Sequence, residues 1–201
     1  LLMLDEPLGA LDRTLRERLL AELGKILRSM QQTALYVTHD QEEAFELADR
    51  VVVMNQGGVE QIGTPQDIYR HPASEFVARF LGFSNIMNGE IRNGNLELAI
   101  GKFEISDFAT PYQAENLNSI SQSYNIPILI RPDAMHLDGS GTNQLSGIVR
   151  KRIFRGSLCR MTVEIERMVL TFEFPSTIPL PEIEETIKLS FQLSEAIQIL
   201  I

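Results

Sequence analysis

The chain opens Leu1-Leu2-Met3-Leu4-Asp5-Glu6-Pro7, continues through Gly9-Ala10-Leu11-Asp12, and later reads Val37-Thr38-His39-Asp40. Four apolar residues without a polar interruption predict a strand buried on both faces, as in a parallel sheet. Two acids follow where that strand should end, and open α/β sheets bind ligands at the carboxyl ends of their strands. Asp5 there suits Mg²⁺, a hard cation that takes oxygen ligands and keeps much of its water, so the contact would run through water. Glu6 is placed to orient or deprotonate a water that attacks a γ-phosphate; such a group typically contributes about 10²–10⁴-fold. An Asp-Glu pair alone would read as a solvated turn. The three motifs in order read as the back half of a site that hydrolyses a nucleoside triphosphate.

The segments between these motifs fit that plan. Asp12 is placed to cap a helix over residues 13–30, whose Leu15, Leu19, Leu20, Leu23, Ile26, Leu27 and Met30 share one face and should pack on the sheet. Residues 33–38 then predict a second short buried strand ending at His39. A right-handed crossover would bring Asp5 and His39 to the same sheet edge, near one phosphate. Asp40 can cap a helix over 41–48. Residues 51–54 and 59–62, joined by Asn55-Gln56-Gly57-Gly58, predict a hairpin, and Thr64-Pro65 starts a short helix. A further helix over 73–81 should bury Phe76, Val77 and Phe80 and close at Gly82. From Asn88 the period changes: alternating strands are predicted at 90–92, 96–100, 102–105, 126–131, 146–154, 158–165, 168–174, 186–191 and 196–200. Many short strands with Gly/Pro turns suggest a small barrel of OB-fold type. Residues 107–124 read as a loop. Cys159, Met54, Met87, Met135, Met161 and Met168 read as core fillers.

These motifs resemble those of the ATP-binding subunits of ATP-binding-cassette (ABC) transporters. Leu1 to Asp5 matches the Walker B strand, Glu6 the catalytic glutamate, Leu8-Gly9-Ala10-Leu11-Asp12 the D-loop and His39 the switch histidine. The likeness runs on through Gln41-Glu42-Glu43-Ala44, Ala48-Asp49-Arg50-Val51, Gly63-Thr64-Pro65, Ile68-Tyr69, Pro72 and Phe80-Leu81-Gly82. The remainder resembles the β-rich TOBE extension of importer ATPases. Its marker is Ile130-Arg131-Pro132-Asp133, with Asp where the family more often has Glu; Glu184-Glu185 stands where a Gly-containing turn is more usual. The expected fold is therefore α/β over residues 1–83, part of a P-loop NTPase, followed by a mostly β, OB-fold-like TOBE barrel over 84–201. The resemblance implies an ATPase using ATP and Mg²⁺, with Asp5 as the metal carboxylate, Glu6 as the base and His39 on the γ-phosphate. Asp12 would face a partner across the nucleotide. It further implies a homodimer with a second copy, transmembrane permease subunits, an extracytoplasmic solute-binding protein acting indirectly, and a peripheral place on the cytoplasmic face of a bacterial or archaeal plasma membrane. Gly9-Ala10, where sugar importers often carry Ser-Asn, tilts the cargo toward polyamines or ferric ions.

Other required parts of such a site are not in this sequence. A phosphate-cradling loop needs Gly-x4-Gly-Lys-Ser/Thr, but Gly24-Lys25 and Gly101-Lys102 are followed by Ile26 and Phe103. Leu145-Ser146-Gly147 mimics the start of the family signature but precedes Ile148 and lies far downstream of Asp5. The chain is therefore expected to be the C-terminal part of a longer polypeptide, binding ATP poorly and hydrolysing none alone. A net charge of −9 argues against a nucleic-acid surface, which should be basic. One cysteine rules out an intrachain disulfide and fits a reducing compartment. His71 and His136 have no metal-ligand spacing. Two rival readings remain: a non-transport ABC ATPase of repair or translation, and a regulatory, ligand-binding or dimerisation β module with a vestigial ATPase piece.

Overall fold

In the computed structural model, β1 (Leu2–Asp5) pairs in parallel with β2 (Ala34–Val37), with Leu2 opposite Ala34 and Asp5 opposite Val37. Residues 1–30, 32–92, 95–104, 125–137, 139 and 141–200 are described, and they divide into two units, Leu1–Ala73 and Ser74–Ile201. The loop predicted at 107–124 lies outside the described residues, as does Ile105, the end of one predicted strand.

In the first unit, α1 (Arg13–Met30) crosses from β1 to β2 and packs on α2 (Gln41–Leu47). The helices approach closely at Gly24, where an added Cβ would lie 3.2 Å from Leu47 Cδ2. β3 (Val51–Asn55) and β4 (Gly58–Gly63) form the predicted hairpin. Its turn residues Gln56 and Gly57 both take positive φ (+48° and +83°), which matches the right-handed twist of the flanking strands. Thr64 caps α3 (Pro65–Arg70) by accepting from Asp67 N, with Pro at the first helical position, where no amide hydrogen is needed.

Burial in this unit departs from expectation. The sequence predicts β1 to be buried on both faces and β2 to be a buried strand, yet Met3, Leu35 and Val37 are 69%, 49% and 48% exposed. A sheet face is buried only where another layer packs on it, and among the described residues these side chains are left uncovered. On α1 only Leu20 and Gly24 are buried, while Leu15, Ile26 and Met30 stay exposed. Met54, expected in the core, points outward on the hairpin at 57% exposure.

The second unit begins with α4 (Glu75–Phe80), capped by Ser74, which accepts from Val77 N. Val77 and Ala78 form its buried side, whereas Phe80, expected there, is 40% exposed and stacks on Phe76. Gly82 ends the helix at φ +85°, and Phe83 N reaches back to Ala78 O at 3.1 Å, a glycine-dependent stop. Ala78 and Phe83 then share a small core with Leu129 and Leu200, which is why this helix groups with the β-rich part.

Two antiparallel sheets follow. One runs β13-β8-β5-β6-β7, from β5 (Ile86–Arg92), β6 (Asn95–Leu98), β7 (Gly101–Glu104), β8 (Asn125–Ile130) and β13 (Ile197–Ile199). The other runs β11-β10-β9-β12, from β9 (Asn143–Arg155), β10 (Leu158–Ile165), β11 (Met168–Pro175) and β12 (Thr186–Phe191). Residues 196–200, predicted as one strand, begin instead in a helical turn, Leu193–Ala196, before β13. Alternate residues of both sheets face one continuous core that includes Leu96, Ile128, Val149, Met161, Phe172 and Phe191, with the predicted Cys159, Met87 and Met135 also buried. Phe103 from one sheet meets Phe191 from the other edge-to-face at 5.8 Å. Buried Asn85 bridges further: its Oδ1 accepts from Thr171 N at 2.8 Å and its Nδ2 donates to Thr171 O at 2.6 Å. Glu184 takes φ +71°, a left-handed conformation that explains why glycine suits this turn.

Gly147 in β9 leaves no room for a side chain: a Cβ would lie 2.6 Å from Glu164 O and 2.6 Å from Val163 Cγ1. Gly147→Ala should therefore cost about 1–3 kcal/mol by overpacking, read as a lower urea midpoint. An unchanged midpoint would show that the sheet gives way freely there.

Candidate functional site

The parallel register sets the geometry of the site. With Asp5 opposite Val37 and Glu6 N donating to Val37 O at 2.9 Å, the residues that follow each strand leave the same edge. Asp5 is the last residue of β1 and is exposed. Glu6 then turns with φ +42°, a left-handed conformation that costs a residue with a Cβ about 1–2 kcal/mol. Gly9 N and Leu11 N donate to Glu6 O and Leu8 O, folding residues 6–11 into consecutive tight turns. The chain thus enters α1 at Asp12, whose Oδ1 accepts from Leu15 N at 3.1 Å. Asp12 caps this helix, as predicted.

His39 and Glu6 meet. Nδ1–H of His39 donates to Glu6 Oε1 at 2.9 Å, although the side chains are 75% and 54% exposed. The hydrogen bond to Glu6, and then its charge, raise the His39 pKa above the ordinary imidazole value. Because the folded value lies above the unfolded one, the pair's contribution to stability is full below the ordinary imidazole range and is lost as pH rises past the raised value.

Beneath this exposed pair lies a network that sequence reading missed. Glu43, 3% exposed, accepts on Oε2 from Tyr36 O–H and Thr38 O–H, each at 2.8 Å. Burial, followed by the bond to Glu43, raises the Tyr36 pKa strongly. Asp40 caps α2 as predicted, its Oδ1 accepting from Glu42 N and Glu43 N. Its other oxygen accepts from Arg16 Nη1 at 3.0 Å. Arg16 Nη2 donates to Leu11 O at 3.0 Å, and its Nε lies 3.8 Å from Glu43 Oε1. The one available signal was Asp40-x-x-Glu43, a capping-box spacing. Tertiary packing diverts Glu43 from Asp40 N, which donates instead to Thr38 Oγ1.

The remaining motif-like strings are structural. Gly24-Lys25 lies inside α1, with Gly24 buried against α2. Gly101-Lys102 starts β7, and Leu145-Ser146-Gly147 runs through β9. None is a loop facing a ligand. Asp5 offers exposed carboxylate oxygens, which suit Mg²⁺ held mainly by phosphates and water. Among the described residues, no cluster of three or more His, Cys, Asp or Glu could hold a metal by itself. Glu6 and His39 thus present an exposed carboxylate and imidazole side by side, and among the described residues none of the Gly-Lys strings forms a phosphate cradle.

Comparisons with known proteins agree with the motif reading. Residues 128–197 match the family described as the TOBE domain. The spermidine/putrescine import ATP-binding protein PotA of Borrelia garinii subsp. bavariensis is 41% identical over 167 residues, covering 83% of this chain and 46% of the relative. PotA of Clostridium acetobutylicum is 37% identical over 170 residues, with 83% and 45% covered. The Fe(3+) ions import ATP-binding protein FbpC of Streptomyces avermitilis is 39% identical over 198 residues, covering 98% of this chain and 54% of the relative. The chain spans about half the length of the curated relatives it matches. A solved structure of the cytoplasmic molybdate-binding protein ModG aligns with 58% of this chain and 95% of its own, at 12% identity and a TM-score of 0.41, a likeness too slight to carry an argument.

If Glu6 sets the ionisation of His39, Glu6→Gln should lower the titration midpoint of the His39 ring toward the ordinary imidazole value. Assigned ring-proton NMR between pH 5 and 9 reads this directly; an unmoved midpoint would remove Glu6 as the cause.

Proposed function

We propose, from this likeness to the ATP-binding subunits of ABC importers, that the chain supplies the water-activating part of an ATP site that drives solute import. The observation that carries the proposal is the convergence of Asp5, Glu6 and His39 at one edge of a parallel strand pair, with Glu6 and His39 in direct contact. Residues 1–83 would be the ATPase part and residues 84–201 the TOBE part, with the motifs upstream of Walker B supplied by the rest of the subunit.

In that reading Asp5 faces the Mg²⁺ of bound ATP through water. When bound, that ion would supply charge neutralisation while the bond from the γ-phosphoryl group to the ADP oxygen breaks. Glu6 holds the attacking water by its carboxylate and takes up its proton as the new P–O bond forms. His39 donates from its ring to a γ-phosphate oxygen, and the exposed bond to Glu6 is one it can exchange for that contact. Asp12, beyond its capping bond, would face the second subunit of a homodimer. ATP favours the closed dimer because it binds that state better, and hydrolysis returns the pair to the open one. Paired permease subunits would convert closure into transport, served indirectly by a solute-binding protein outside. The subunit would work peripherally at the cytoplasmic face of the membrane; among the described residues, no helix is long and apolar enough to cross it. The cargoes in the relatives' names, spermidine/putrescine and Fe(3+), are both cations, so a cationic solute is proposed here too.

The test uses the full-length subunit assembled with its permease. Glu6→Gln should leave ATP binding intact and cut turnover by about 10²-fold or more, the loss of a positioned base. Turnover within a few fold of wild type would take Glu6 out of the mechanism.

A further inference from the structure

We propose that Arg16 is a positioning residue that ties the loop at residues 8–12 to the turn at His39–Asp40, so that Glu6 and His39 keep one geometry. The inference rests on the reading of Glu6 and His39 as ATP-site groups, and it adds a residue that no motif assigns.

Arg16 lies in the first turn of α1 and spreads its guanidinium in three directions. Nη2 holds Leu11 O in the loop that follows Glu6, and Nη1 holds Asp40 Oδ2 in the turn that follows His39, both at 3.0 Å. Nε is buried, has no hydrogen-bond partner among the described residues, and lies 3.8 Å from Glu43 Oε1. A buried donor left without a partner is costly, so the fork is held by its two terminal bonds rather than by optimal pairing of every nitrogen.

The carboxylates it meets are themselves fixed. Asp40 spends its other oxygen on the α2 N-terminus, and Glu43 spends its own on Tyr36 and Thr38 of β2 and its end. Thr38 and Asp40, the neighbours of His39 on either side, therefore both belong to the network, while the His39 ring stays outside it and reaches Glu6. Such an arrangement immobilises the backbone around His39 and leaves its ring able to engage. Only a planar guanidinium can hold a carbonyl and a carboxylate with separate nitrogens of one rigid group; lysine offers a single point charge on a flexible stem.

The test follows the His39 titration in Arg16→Gln and Arg16→Lys by ring-proton NMR. The groups that shift His39 are Glu6, Asp40 and Glu43, all acidic. Removing a nearby cation without moving anything would raise the midpoint. Loss of positioning separates His39 from Glu6 and lowers it. A midpoint that falls toward the ordinary value in Arg16→Gln supports the proposal; one that is unchanged or raised overturns it. If Arg16→Gln does not fold, the same criterion applies to Arg16→Lys, which keeps the charge and loses the fork. In the full-length subunit with its permease, either variant should lower kcat about 10²-fold, the cost of a misplaced catalytic group, with KM for ATP within about twofold. A changed KM at unchanged kcat would overturn positioning. Should wild-type subunit hydrolyse no ATP, the functional reading fails while the titration still decides the role of Arg16.

Discussion

The parallel pairing of β1 with β2 is the constraint on which the candidate site depends. Parallel strands run out at the same edge, so whatever follows Asp5 must meet whatever follows Val37. A register slip of one residue would turn every side chain to the opposite face and carry Glu6 away from His39. The crossover helix makes this pairing possible, because parallel neighbours cannot be joined by a tight turn. The left-handed turn at Glu6 is the local cost of bending the chain from the strand end into that helix.

Two electrostatic regimes lie within a few residues of each other at this edge. The Glu6–His39 pair is exposed to water, which screens it and makes it easy to exchange for another partner. Below it, the Glu43 carboxylate is buried and survives because Tyr36, Thr38 and Arg16 surround it. Removing one member of such a buried set strands a charge, which is far more disruptive than the set is stabilising. A loose contact above a rigid one lets the ring exchange partners while its anchorage stays fixed.

The β-rich unit obtains its order differently. Two sheets press alternate residues into one apolar core, while they also carry cross-strand ion pairs such as Arg160–Glu173 and Lys102–Glu97. A register shift in β9 opposite Thr162 and Val163 leaves Arg150 as an extra residue, and its guanidinium reaches both Glu164 and Glu184. Bulges of this kind bend a strand and re-aim a side chain. The first unit, in contrast, leaves apolar side chains of β1, β2 and the β3–β4 hairpin exposed.

Local rules made much of this chain legible from its residues alone. Asp12, Asp40 and Thr64 cap helices because short side-chain oxygens satisfy free amides wherever a helix starts, and Gln56-Gly57 and Gly82 adopt the positive φ their positions demand. The family resemblance, too, was carried by contiguous motifs. Tertiary structure decided the rest. Burial was misjudged at Met3, Leu35, Met54 and Phe80, since an apolar residue is buried only if a neighbouring element covers it. Arg16, set among the leucines of a helix stripe, gave no local signal, and Glu43, in a run of acids, gave only a capping-box spacing that packing overrode. Their significance arises from contacts 24 and 5 to 7 residues away in sequence, and side chains that meet only after folding leave no periodic trace in the chain that encodes them.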